Sequence, residues 1–244
     1  MNYIVADHLK YKRTFLKKVL ILAPIAAVLH AYILMPAYFS VNAYNWWYTV
    51  LMPFSFALIP ALMHRYENRK LKYKAIFPLN VDLHKIWLSK ITIALYFAAL
   101  IMIVHLLGVY FMQLLIPIQL SSLYGLRTMV TASLILLAVD AWQLPFCLFL
   151  SKKMGFMFSL ACNALLGIFM GILLADTKYW LYCPYSWGAR CMVSILKIMP
   201  NGVPVGEEGM GLSCNPLIPC ILSLFLFGLI SFASAGWFAK QEVK

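Results

Sequence analysis

A carboxylate interrupts one of the long apolar segments of this sequence. Asp140 falls inside the run 128–150, with Gln143 three residues later and Pro145 breaking the helical pattern beyond it. Ionisable groups within a membrane segment are costly unless paired, which makes them candidates for function. Asp140 could face an internal cavity and contact a cationic substrate. It could also form a hydrogen bond or ion pair between helices, for instance with His105, or be protonated.

The spacing of the other reactive residues gives no support for an enzyme. The five histidines form neither an HExxH nor an HxxxH pattern, and Glu207 and Glu208 are adjacent but lie in a Gly-rich stretch. Neither a GxSxG nor a GxxxxGK[ST] motif occurs. We therefore predict no catalytic residue, no metal site and no cofactor bound by this chain. A function driven by ATP and Mg²⁺ would need both to be bound by a partner.

The cysteines divide between apolar and polar segments. Cys147 and Cys162 lie in apolar runs, where small packing residues are the simplest interpretation. Cys183, Cys191 and Cys214 lie in a long polar segment and fit no zinc spacing. A disulfide could form there, from Cys183 to Cys191 or Cys214, if the segment is extracellular; free thiols are the alternative.

The composition indicates a membrane protein. Of the 244 residues 64% are hydrophobic and 11% charged, and the mean hydropathy is +0.84. Soluble domains are about half apolar and about a quarter charged. Apolar runs near 20 residues, enough to cross a hydrocarbon core, recur along the chain. We predict an all-α polytopic fold with six transmembrane helices, at about 19–39, 47–63, 91–113, 128–150, 155–174 and 217–238.

The basic residues predict the orientation. Sixteen of the twenty Lys and Arg fall in segment 1–18, in the central loop 64–90, at Lys152 and Lys153, or after the last span. Lys/Arg-rich loops are retained in the cytoplasm, so both termini are predicted to be cytoplasmic and 176–216 extracellular. Most of the residues behind the net charge of +12 lie in these predicted inner segments. The charge therefore indicates attraction to anionic inner-leaflet lipid, not binding to nucleic acid.

Two polar segments are candidates for short helices on the inner surface. Segment 1–18 could form an amphipathic helix there, or a solvated tail. In the central loop, Asp82 could cap a second helix over 80–90, separated from the first half of the loop by Pro78. Such a helix would suit a docking role; the simpler interpretation is a basic loop that only determines topology.

The central loop resembles that of the ABC-2 type exporter permeases. The shared pattern is an acid at the end of span two, basic residues, a proline about eleven positions on and a helix ending in Lys. In that family this region is the coupling helix that docks on the ATPase subunit. The resemblance implies that the ATPase-coupling residues are Glu67, Arg69, Lys70, Phe77, Pro78 and Lys90.

The outer segment is similar to one subgroup of that family, the lantibiotic-immunity permeases of Gram-positive bacteria. The similarity lies in 182–190 (YCPYSWGAR), in 199–203 (MPNGV) and in the SKKxG turn within 148–156. Two features depart from the family pattern: the aromatic order Tyr-Ser-Trp, and Gly188. They leave open the shape of the extracellular segment 176–216, which is predicted to be re-entrant.

The resemblance implies one permease subunit of an exporter in the bacterial cell membrane, a second related permease and two copies of an ATPase. The substrate would be a cationic antimicrobial peptide, expelled to give the producer immunity. Candidate contacts are Trp46, Trp47, Tyr48, Asp140, Asp176, Trp180, Tyr185, Trp187, Glu207 and Glu208. The alternative is that the aromatic side chains only lie at the membrane–water interface and that the acids are only solvated. Alternative functions are export of another amphiphile (a lipid, drug or other peptide antibiotic), ATPase-independent peptide binding, and intramembrane processing.

Overall fold

The computed structural model describes residues 3–11, 14–68, 81–116, 123–206 and 211–241. These residues form helices and no β-strand beyond one isolated bridge between Ile198 and Pro204. In chain order the α-helices are α1 (Tyr3–Lys10), α2 (Phe15–Leu34), α3 (Phe39–Trp46), α4 (Met52–Tyr66), α5 (Leu83–Leu115), α6 (Leu126–Asp140), α7 (Gln143–Met154), α8 (Phe156–Ala175), α9 (Trp187–Leu196) and α10 (Leu217–Ala239).

The lengths and apolar composition of these helices confirm a multi-pass membrane protein. In the described ranges, five helical stretches can cross a bilayer: α2, the continuous stretch Pro36–Tyr66, α5, α8 and α10. The pair α6 and α7, bent by 42°, makes a sixth if it is one span. The bend follows from Pro145, which has no N–H to donate to the carbonyl of Ala141. That carbonyl instead accepts from the N–H of Leu144 at 3.0 Å.

Successive spans run in opposite directions and so define two ends of the bundle. We call the end that carries Arg65, Lys90 and Lys153 the basic end. There the ring of Trp87 on α5 stacks on Phe238 of α10 at 4.5 Å between centroids. Helix α9 and the other described residues between α8 and α10 lie at the opposite end, where α9 packs against α6 and α8.

The first turn between spans lies earlier than predicted. Helix α2 ends at Leu34 because Met35 precedes Pro36, and a residue before proline is disfavoured in helical conformation. The sequence also predicts a tight outer turn at 42–48, after the first span. This prediction is wrong, because these residues belong to α3 and to a π-helical turn, Trp47–Leu51.

The predicted separate interfacial helix at 80–90 is also wrong. Helix α5 begins at Leu83, where the Asp82 side chain caps it by accepting from the N–H of Lys85 at 3.3 Å. It then continues for 33 residues without a proline, so the predicted docking helix and the third span are one helix. At the N-terminus α1 is helical and packs on α5, with the side chains of Asp7 and Tyr11 buried.

Candidate functional sites: a buried charge cluster and a polar chain

Four charged side chains meet at the basic end and form what we call the charge cluster: Asp7, Lys10, Glu67 and Lys90. Lys90 Nζ contacts Glu67 Oε1 directly and lies 3.6 Å from Asp7 Oδ1. Lys10 Nζ lies 2.6 Å from Asp7 Oδ1 and 3.3 Å from Glu67 Oε1. Glu67 and Lys90 are almost fully buried, at 1% and 2% exposure. Two cations thus neutralise two anions in a site where Asp7, Glu67 and Lys90 are buried and Lys10, at 29% exposure, lies at the edge.

Neighbouring groups hold the cluster in its charged form. Burial by itself would raise the pKa of Asp7, but the Lys90 ammonium and hydrogen bonds from Lys10 and Ser89 keep that pKa below its ordinary value of 3.8. Burial would likewise lower the pKa of Lys10, and the charge of Glu67 together with the Asp7 hydrogen bond raises it instead. Helix α1 is therefore fastened to the bundle by ion pairs.

The cluster contains two of the residues predicted to couple to an ATPase. Glu67 follows α4 and Lys90 lies in the second turn of α5, so their pair closes the base of the loop between these helices. Both face each other and α1, not the surface. The other predicted coupling residues, Arg69, Lys70, Phe77 and Pro78, lie outside the described residues. Asp7 and Lys10 were not predicted from the sequence as members of this site; their spacing of three in a basic segment was the available signal.

A second site runs through the middle of the bundle, and we call it the polar chain: Asp140, Gln143, Asn163 and Tyr185. Gln143 Nε2 donates to Asp140 Oδ1 at 2.7 Å, and Asn163 Nδ2 donates to Gln143 Oε1 at 2.8 Å. Tyr185 Oη donates to Asn163 Oδ1 at 2.9 Å. Asn163 Nδ2 also donates to the carbonyl of Pro53 at 2.7 Å. The polar chain therefore links α4, the α6–α7 bend, α8 and the segment before α9.

The surroundings of Asp140 are tight. Its side chain is 4% exposed, and a Cβ added at Gly188 of α9 would lie 2.8 Å from Asp140 Oδ2. Among the described residues Asp140 forms no ion pair. The suggested partner His105 is elsewhere: it stacks on Trp47 at 4.4 Å between centroids. A buried carboxyl group without a cation can hold a proton or receive a cationic group from a ligand.

The bend leaves a second polar group beside this chain. Trp142, between α6 and α7, is 4% exposed, and its Nε1 makes no hydrogen bond within the described residues. Its ring packs edge-on against Tyr185 at 4.8 Å. Among the described residues this donor is therefore unsatisfied, and it is available to a group bound at the helix break.

The predicted outer contact residues do not form one surface. Trp47 and Tyr48 are buried within the bundle, whereas Trp46 packs on His30 at 5.0 Å and is 36% exposed. Tyr185 belongs to the polar chain. Glu207 and Glu208 lie outside the described residues.

The remaining outer candidates surround the end of α8. Trp187 is buried and donates from Nε1 to the carbonyl of Leu181 at 2.9 Å. The guanidinium of Arg190 lies 5.4 Å from the ring centroid of Trp180 and donates to the carbonyl of Ala175 at 2.9 Å. Burial raises the pKa of Asp176 above its ordinary value, and the charge of Arg190 opposes that shift.

All six cysteines are free thiols in this structure. Within the outer segment, Cys214 Sγ donates to the carbonyl of Arg190 at 3.6 Å, which places it beside Cys191. The neighbouring Cys214 thiol, together with burial, raises the pKa of Cys191, and the Cys191 thiol lowers the pKa of Cys214. The contact of Cys214 with the residue before Cys191 favours a Cys191–Cys214 pair over the predicted pairing through Cys183.

Comparison with family models, with curated proteins and with solved structures gives no match to this chain. Its functional interpretation therefore depends on its own residues and on their geometry.

Proposed function

We propose that this chain is the permease subunit of an exporter whose ATPase is a separate protein, and that it removes a cationic antimicrobial peptide from a bacterial cell membrane. The fold supports a membrane transporter: it has five candidate spans, or six if α6 and α7 form one span, with a polar chain at the broken helix, and the sequence contains no phosphate-binding loop. The family and the peptide come from the resemblance of the central and outer segments.

The observation that carries the proposal is the buried Glu67–Lys90 pair. It joins the end of α4 to the start of α5, on either side of the loop that resembles an ATPase-coupling segment. A partner that moved this loop would displace both spans together, because separating a buried ion pair leaves uncompensated charges. Helix α1 would move with them through Asp7 and Lys10.

The substrate side of the proposal depends on the α6–α7 bend. Asp140 offers a carboxyl group to a cationic side chain, and Trp142 offers a buried N–H to a peptide carbonyl. A bent span can change its angle at low cost, since the broken helical hydrogen bond is already absent. In this proposal the basic end faces the cytoplasm, and α9 lies on the outer side, where the peptide would enter from lipid.

The proposal is tested by co-purification from membranes of the native host. The tagged chain, solubilised in mild detergent, is compared with the loop variant Phe77→Ala plus Pro78→Ala and with the control Arg127→Ala at the opposite end. We expect an ABC ATPase to co-purify with the parent and the control and to be lost from the loop variant. If no ATPase accompanies the parent chain, the exporter proposal is wrong, and direct peptide binding becomes the better model.

A further inference from the structure

A pocket of about 500 Å³ lies at the basic end, between the end of α4 and the turn from α7 to α8. One wall is polar and consists of His64, Arg65 and Asn68. The facing wall is apolar and includes Met154 and Phe156. The pocket is separate from the charge cluster, because Glu67 is turned toward Lys90 on α5.

The polar wall is cationic. The Arg65 side chain is exposed, forms no ion pair among the described residues, and its guanidinium lies 5.1 Å from the ring centroid of Phe156. Lys153 is also exposed and precedes the lining residue Met154 in the chain. Among the described residues, none that lines the pocket is an acid. A ligand with a negative charge would therefore complement this wall.

The apolar wall continues along the side of the bundle. Met157 and Phe158 line the pocket at 75% and 43% exposure, and Leu165 and Phe169 farther along α8 are 53% and 58% exposed. Phe158, Leu165 and Phe169 share one face of α8, because residues separated by about multiples of 3.6 align on a helix. In a membrane-spanning helix such a face contacts acyl chains.

Gly155 keeps the pocket open where α7 turns into α8. Its φ is +99°, a conformation that residues with a Cβ rarely adopt, and no heavy atom lies within 4 Å of the position that a Cβ would occupy. The turn therefore contributes backbone without filling the space beside Arg65.

We propose that this pocket binds a phospholipid with an anionic headgroup, with the phosphate at Arg65 and an acyl chain along the exposed face of α8. Charge complementarity at one end and continuity with a lipid-facing apolar surface at the other carry this assignment. A soluble anion would use only the polar wall, and a neutral lipid only the apolar one. The inference does not depend on the proposed transport function.

The test measures lipid retention by native mass spectrometry. The full chain, stripped of native lipid in detergent, is incubated with phosphatidylglycerol or with phosphatidylcholine of identical acyl chains. We expect preferential retention of phosphatidylglycerol, and about a tenfold weaker retention by Arg65→Gln, because one charge-assisted contact to phosphate is lost. Arg127→Gln, an exposed arginine at the opposite end, is the matched control and should bind like the parent.

Two further arms distinguish the sources of the phosphate group. Met157→Ser should weaken retention of phosphatidylglycerol if an acyl chain occupies the apolar wall, and glycerol 3-phosphate at the same concentration should not displace the lipid. Equal retention of the two lipids, equal losses in Arg65→Gln and Arg127→Gln, unchanged retention by Met157→Ser, or displacement by glycerol 3-phosphate would each overturn the assignment. Size-exclusion profiles verify that every variant is folded.

Discussion

Glu67 and Lys90 lie 23 residues apart in the chain and form a buried ion pair that closes the loop between α4 and α5. Because Lys10 and Asp7 complete the cluster, its four charges cancel, and removal of Asp7, Glu67 or Lys90 leaves an uncompensated charge in a buried site. This relationship joins α1, the end of α4 and the start of α5 through ion pairs.

Single and double substitutions at this pair should differ in a characteristic way. We expect Glu67→Gln or Lys90→Met alone to lower the free energy of unfolding by about 3–5 kcal/mol, since each leaves one buried charge unpaired. The double variant should recover much of that loss, because Asp7 and Lys10 still neutralise each other. Thermal melts in detergent measure the effect. Asp82→Asn, at the exposed Asp82–Lys85 pair, is the control and should change little.

Docking of α1 should depend on pH through Asp7. The pKa of this carboxyl is lower in the folded protein than its ordinary value of 3.8, so its stabilising effect is complete above that value and is lost as the pH falls through the lower folded pKa. Amide hydrogen exchange across 3–11, corrected for intrinsic rates, should stay slow at neutral pH and accelerate only below about pH 3.8. In Asp7→Asn this acid transition should be absent; its persistence would assign it to another group.

Gly188 should tolerate no side chain while Asp140 is present. A Cβ at Gly188 would lie 2.8 Å from Asp140 Oδ2, so Gly188→Ala should destabilise the protein by about 1–3 kcal/mol through overpacking. In an Asp140→Ala background the added methyl group should have a much smaller effect. Gly228→Ala on α10 is the control, because no atom lies within 4 Å of its Cβ position. Additive effects of the first two substitutions would contradict the contact.

Asp140→Asn should separate a substrate contact from a structural role. The asparagine Oδ1 can still accept the hydrogen bond from Gln143 Nε2, so the fold should be preserved. If Asp140 contacts a cationic peptide, we expect resistance to that peptide to fall by about tenfold, equivalent to one weakened charged contact. Inhibitory concentrations of the peptide, measured at equal protein levels in the membrane, give the answer. Full resistance in Asp140→Asn would show that Asp140 has a structural role only.

The Cys191–Cys214 contact predicts a specific cross-link. The lowered pKa of Cys214 increases its thiolate fraction, and its Sγ contacts the carbonyl of Arg190, the residue before Cys191, at 3.6 Å. Mild oxidation by copper phenanthroline should therefore join these two cysteines, seen as loss of two alkylation sites by mass spectrometry. Cys191→Ser or Cys214→Ser should abolish the cross-link, and Cys183→Ser should not. A bridge that requires Cys183 would support the pairing predicted from sequence.

Local patterns in the sequence were sufficient for the spans and for some of their ends. Apolar runs near 20 residues predicted six spans because hydrocarbon requires continuous apolar helices, and the described residues contain five, or six if α6 and α7 form one span. Asp82 marked the start of a helix and Pro145 a bend, since capping and proline geometry act within one helical turn. The prediction was wrong where local signals had two meanings: Trp47 and Tyr48 resembled an interfacial belt but are buried.

Only the tertiary structure decided which polar groups meet. Asp7 and Glu67, or Asn163 and Pro53, are far apart in the chain, and no local spacing connects them. In a low-dielectric interior each buried polar group needs a partner, and packing of whole helices determines which one it finds. The sequence by itself determined that polar residues lie within an all-helical membrane protein; the packing of α1, α4 and α5, and of α6 to α9, assembled them into a charge cluster and a polar chain.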